Sequence, residues 1–226
     1  MFRSSRAICL IALTSAAWAG DITGYAIITK RLTKKRVSPI VYNLRGSAAA
    51  PASSDDGGTI SEYDRMAVIL EGGSFPGQPP VTAVLDQRNT RFGAELLVVP
   101  VGSTIEFPNS DPIFHNVFSL SKAQPFDLGF YARGESRSVK FSHAGIVQVY
   151  CHIHANMYAA IVVTDSPWFA KPAADGSFSW RGVPAGHYHL TAWHKIAGMH
   201  AIDVTVPEQG QVDVGIRVPV DVEPHP

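Results

Sequence analysis

A thiol, two imidazoles and a thioether stand within one short stretch, Cys151-His152-Ile153-His154-Ala155-Asn156-Met157. A further imidazole lies well upstream, in Phe114-His115-Asn116. Soft thiolate and thioether ligands suit Cu(I), and imidazole nitrogen suits Cu(II). Two His, one Cys and a weak, distant Met serve both states with little rearrangement, which is the donor set of a copper site that passes electrons. The spacing Cys-x2-His-x2-Met therefore predicts a single type 1 copper held by His115, Cys151, His154 and Met157. Asn116, beside the upstream imidazole, is expected to tie the two ligand loops together by hydrogen bonds, because ligands are oriented by the groups around them.

These ligands need elements to place them. Side chains alternate faces along a strand. In a strand expected over 146–153, Val147, Val149 and Cys151 share one face, and Gln148, Tyr150 and His152 share the other. The apolar set marks Cys151 as core-facing at the strand end. His152 then points away from Cys151, so His154, in the turn that follows, is the second imidazole. His152 is left beside the ligand cysteine, facing the opposite side.

Length and composition bound the rest. The 226 residues suffice for one large or two small domains, and the formal net charge is zero. Zero charge argues against a nucleic-acid partner, which favours a basic balance. Gly, Pro and Val are frequent and no long amphipathic helical pattern occurs, which predicts an all-β chain. Arg3 and Arg6, the apolar run 7–17 and the small-x-small site Ala17-Trp18-Ala19 have the form of an export signal cleaved after Ala19. The apolar run is too short to span a bilayer, and no second stretch of membrane length follows. The expectation is a periplasmic protein with no membrane span in the mature chain. Cleavage also removes Cys9 and leaves Cys151 as the one remaining thiol. A lone thiol in an oxidising compartment is a liability unless buried or metal-bound.

In chain order, strands are expected at 20–29, 37–43 and 66–70, with the basic run Lys30–Arg36 read as a solvated turn. The small-residue segment 46–58 reads as a flexible loop. From 81 to 164 strand signals are dense: 81–85, 96–99, 103–107, 115–120, 138–141, 146–153 and 158–164. Their number and spacing fit a Greek-key sandwich. A last set of short strands runs through 175–190, 200–206 and 212–218, and is rather short to fold alone. The expected division is a signal at 1–19, an N-terminal β segment at 20–80, a central domain at 81–165 and a C-terminal β segment at 166–226.

Two resemblances attach to these segments. Cys151-x2-His154-x2-Met157 is similar to the short ligand loop of amicyanin-type cupredoxins. Val99-Pro100-Val101-Gly102-Ser103-Thr104-Ile105-Glu106-Phe107-Pro108-Asn109 leading to His115-Asn116-Val117-Phe118-Ser119 resembles plastocyanin-like periplasmic proteins of the methylamine-utilisation type. Phe126-Asp127-Leu128-Gly129 and Gly134-Glu135-Ser136 look like theirs as well. This resemblance covers roughly 81–164 and implies a cupredoxin sandwich with copper on the same four residues. Ala155 departs from it, since such loops usually have Pro there. Asp175-Gly176-Ser177-Phe178 with Gly182-Val183-Pro184-Ala185-Gly186-His187-Tyr188 resembles a carboxypeptidase regulatory-like (transthyretin-like) sandwich. Asp21-Ile22-Thr23-Gly24-Tyr25 partly echoes its first strand. That resemblance implies that the two ends of the chain build one sandwich around the central domain.

Three functions compete. An electron carrier needs only the copper site and redox partner proteins. A copper-binding or copper-delivery protein could use the same ligands without a redox cycle. A copper oxidase or nitrite reductase would couple the site to further copper through histidines flanking the cysteine. Here Tyr150 precedes Cys151 and no His-x-His pair lies upstream, so no enzyme is expected. His187 and His189 share a strand face and could form a second metal site, although ordinary strand histidines are the favoured reading.

Overall fold

The computed structural model describes residues 19–29 and 61–219. The export signal expected over 1–19 (but for Ala19), the basic run at 30–36, the strand expected at 37–43 and the loop expected at 46–58 lie outside the described residues. The described part is all-β, with a single 3-10 turn at Glu62–Arg65. In chain order the strands are β1 (Ala19–Ile28), β2 (Met66–Glu71), β3 (Thr82–Val84), β4 (Gln87–Arg88), β5 (Arg91–Phe92) and β6 (Leu96–Pro100). There follow β7 (Thr104–Pro108), β8 (His115–Ser119), β9 (Phe126–Tyr131), β10 (Ser136–Lys140), β11 (Gly145–Tyr150) and β12 (Tyr158–Thr164). The last are β13 (Phe169–Ala170), β14 (Ser177–Pro184), β15 (Gly186–His194), β16 (Gly198–Val206) and β17 (Gln211–Val218).

Two sandwiches result. In the central one, a five-stranded sheet ordered β6-β12-β11-β8-β9 faces a three-stranded sheet ordered β10-β7-β3. Ile105, Phe107, Val117, Val147, Val149 and Ile161 fill the space between them. The terminal sandwich joins both ends of the chain. Strand β1 lies between β14, antiparallel, and β17, parallel, and this sheet faces β13-β2-β15-β16. Its core is built on Ile22, Val68, Leu70, Trp180, Leu190 and Ile216. Gly24 shows why β1 carries small residues: a Cβ there would lie 2.3 Å from the Phe178 ring.

Strand alternation also explains how the sandwiches meet. In β2, Met66, Val68 and Leu70 face the terminal core, while Ala67 and Ile69 face outward. In β12, Ala159, Ile161 and Val163 face the central core, while Ala160 and Val162 face outward. The two outward sets meet, with Leu96 and Trp193, in a third apolar cluster. A strand buried on both faces loses its polar alternation and reads as a continuous apolar run, as Met66–Leu70 and Ala159–Val163 do. Full burial of one such aliphatic side chain is worth about 1.5–3 kcal/mol, so this seam is a substantial joint.

Charged residues border the seam. Lys195, just past β15, pairs with Glu95 and sits over the Tyr158 ring, 3.4 Å from its centroid. Arg65 Nε lies 3.5 Å from the same carboxylate.

Two expectations about strands need correction. The strand expected over 146–153 stops at Tyr150, because the residues after it turn to form the loop. Strand β9 was not expected: its burial alternates weakly, with Asp127 exposed and Gly129 in a left-handed conformation.

Candidate metal centre

Strands β8 and β11 lie side by side and antiparallel, with Tyr150 opposite Phe118. The first residue of β8 and the last of β11 therefore reach the same end of the sheet. His115 opens β8, and Cys151 follows β11 directly. His154 and Met157 come from the loop between β11 and β12. That loop folds back on itself: the Cys151 N–H donates to the Met157 carbonyl at 3.2 Å.

The result is a convergence of donor atoms. Cys151 Sγ lies 3.8 Å from His115 Nδ1 and 3.7 Å from His154 Nδ1. All three donor atoms fall within 4.8 Å of one another, and no other group of this kind occurs among the described residues. A first-row ion about 2.0–2.3 Å from sulfur and imidazole nitrogen, in a trigonal plane, sets its donors about 3.7 Å apart. The two sulfur–nitrogen distances match that spacing. His115 and Cys151 are buried and His154 is half-buried. Met157 is buried in the same core cluster as Cys151, Val149 and Ala159.

The other residues singled out around the centre and the two strand histidines are all among the described residues. His152 is outside the cluster: its ring stacks on Phe118, centroids 3.9 Å apart, and its Nε2 lies 3.6 Å from Asp127 Oδ2. Asn116 is buried, and its Oδ1 makes no hydrogen bond. Its Nδ2 donates to Asp127 Oδ1 at 2.7 Å, so it ties β8 to β9. This bond runs to β9, a strand that the sequence did not lead us to expect. The Gly129 N–H, then the Asn116 amide, hold the Asp127 carboxyl below its ordinary range. His187 and His189 do not converge on a metal. His187 Nδ1 bonds Thr205 Oγ1 at 2.9 Å, and His189 Nδ1 lies 2.7 Å from Asp203 Oδ1.

One residue at the site was not foreseen. His115 Nε2 lies 2.7 Å from Asp111 Oδ2. Asp111 in turn accepts the N–H of Asn89 at 2.6 Å and that of Thr90 at 2.8 Å. The sequence signal, a carboxylate four residues before His115, lies in a loop, where spacing alone indicates nothing about contact.

Ile113 and Phe114, beside His115 in sequence, and Ile153, beside His154, are exposed.

Comparison with known proteins adds likeness at the level of structure. No protein-family model and no curated protein matches the chain. Among solved structures, the chain is similar to an amicyanin variant in its reduced Cu(I) form at pH 4, at 23% identity and a TM-score of 0.35. That match covers 37% of this chain and 82% of the other. A second amicyanin variant, in the Cu(I) form, is similar at 22% identity and a TM-score of 0.35, with the same 37% and 82% coverage. A copper-containing nitrite reductase from Thermus scotoductus SA-01 is similar at 27% identity and a TM-score of 0.35, over 38% of this chain and 22% of that one. The chemistry of the centre rests on its own donor atoms.

Proposed function

We propose that this chain is a type 1 copper protein that carries electrons in the periplasm. The observation that carries the reading is the convergence of Cys151 Sγ with His115 Nδ1 and His154 Nδ1 at 3.8 and 3.7 Å. Cys151 would be the strong thiolate ligand, His115 and His154 the imidazoles, and Met157 the weak thioether donor. The metal supplies a one-electron Cu(I)/Cu(II) couple.

The protein's part is to hold the donors where both oxidation states accept them. Burial of Cys151 and His115 keeps water from the thiolate. His154 is the ligand that reaches toward the surface, so it is the natural exit for an electron to a redox partner protein, across the apolar residues Ile113, Phe114 and Ile153. No substrate site is needed, and we read the chain as a carrier, not an enzyme. The central domain at 81–165 would be the cupredoxin unit. The terminal segments would serve as a transthyretin-like support, joined through the Trp193 seam. No described helix is long and apolar enough to cross a membrane.

Titration with Cu(II), followed by visible absorption and paramagnetic resonance, tests the reading. An intense band toward the red end, lost in a folded Cys151→Ser variant, is the expected result. A protein that stays colourless and retains only Cu(I) would instead be a delivery protein. More than one copper per chain with oxygen or nitrite turnover would make it an enzyme.

A further inference from the structure

We infer that Asp111 is a positioning residue for this centre: its carboxylate, clamped by the Asn89–Thr90 turn, holds His115 with Nδ1 bare and turned toward Cys151. The inference deepens the copper reading and rests on it for its redox consequence alone.

His115 is fully buried, so its two ring nitrogens find partners only within the protein. Nδ1 faces Cys151 Sγ, and Nε2 faces Asp111 Oδ2 at 2.7 Å. An ionised carboxylate only accepts. In the neutral ring the one proton then sits on Nε2, and Nδ1 keeps the lone pair that a metal requires. A carboxylate behind a ligand histidine fixes ring orientation and makes the ligand more basic.

The carboxylate is itself held. Both of its oxygens accept backbone N–H groups, from Asn89 and from Thr90. Asn89 and Thr90 have φ of 55° and 54°, and no other non-glycine residue among those described has a positive φ. They form the two-residue turn between β4 and β5, whose central positions both need this conformation. Asn tolerates it, but for β-branched Thr90 it is an outlier. Backbone strain of this kind persists where surrounding contacts hold it and clusters at functional sites. Here the contacts are the two bonds to Asp111. Ser110, one residue back, anchors the same hairpin by donating from its Oγ to Asp86 Oδ1 at 2.7 Å.

The charge has a consequence. A buried negative group behind His115 favours the more positive metal state, so it lowers the reduction potential. The test uses the full chain with Asp111→Asn and Asp111→Ala. In the metal-free protein, nitrogen NMR of the His115 ring is expected to show protonation at Nε2. This should persist in Asp111→Asn, whose amide oxygen still accepts, and give way to mixed tautomers in Asp111→Ala. In the copper form, both variants should lose Cu(II) affinity by about 10–100-fold. If Cu(I) affinity is unchanged, each tenfold loss raises the potential by about 59 mV.

A potential in Asp111→Asn equal to that of the wild type overturns the redox role. A locked Nε2–H tautomer in a folded Asp111→Ala overturns the positioning role. If Asp111→Ala does not fold, the potential of Asp111→Asn decides. A wild type that never turns blue defeats the copper-carrier reading and the redox consequence, while the metal-free tautomer comparison still decides the positioning role.

Discussion

The Met157 N–H donates to the His154 carbonyl at 2.9 Å. This bond closes a four-residue turn, His154-Ala155-Asn156-Met157, and sets the histidine and the methionine on either side of it. With the Cys151 N–H to Met157 carbonyl bond, the ligand loop is braced by its own backbone.

Ala155 occupies the second position of that turn, where Pro is favoured. Ala155→Pro is therefore expected to stabilise the protein by about 0.4–1 kcal/mol, through the unfolded chain. Urea unfolding of the two proteins measures it. A loss of stability would mean that the backbone at Ala155 does not suit Pro.

Met157 is 1% exposed and packed in the central core. Met157→Leu keeps volume and shape, so it should cost under about 1.5 kcal/mol. Met157→Ala leaves a cavity and should cost about 2–5 kcal/mol. With copper bound, Met157→Leu removes a weak electron donor and should raise the reduction potential while the colour persists. Spectroelectrochemistry reads this, and an unchanged potential would remove Met157 from the ligand set.

His194 predicts a pH effect on stability. It is fully buried, and burial, followed by the nearby Arg65 and His200 charges acting against Glu62, pushes its pKa down to about 4 from an ordinary 6.5. Its Nδ1 accepts the N–H groups of Ile196 and Ala197, both at 3.2 Å, and its Nε2 faces Glu62 at 3.4 Å. Between pH 6.5 and 4 the unfolded chain takes up a proton that the folded one refuses. Stability should thus be independent of this group above pH 6.5 and fall as pH drops toward 4. Urea midpoints across that range should fall less steeply in His194→Gln. Equal slopes in both proteins would show that His194 is not responsible.

Much of the site is legible in the sequence because its geometry is local. Cys151, His154 and Met157 lie in one loop, and the parity of β11, carried one step past its end, already separates Cys151 from His152. The contacts of His115 are of another kind. Its partner Asp111 and the Asn89–Thr90 turn depend on a loop and a hairpin packing together, and no periodicity encodes that. Asn116 shows the same limit. Its burial could be anticipated from its place at the head of β8, but its direction depended on β9.

By itself, the sequence determined residue types, spacings and alternation: an all-β chain and a Cys-x2-His-x2-Met loop at a strand end. Those follow from the fixed two-residue period of a strand and the short reach of a loop. Only the tertiary structure decided which strands neighbour which. It joined β1 with β14 and β17, buried β2 and β12 on both faces, and set Asp111 behind His115. These are contacts between distant segments, chosen by competition among many apolar faces for the same core. Such a choice is made by the whole chain at once, and no window of sequence contains it.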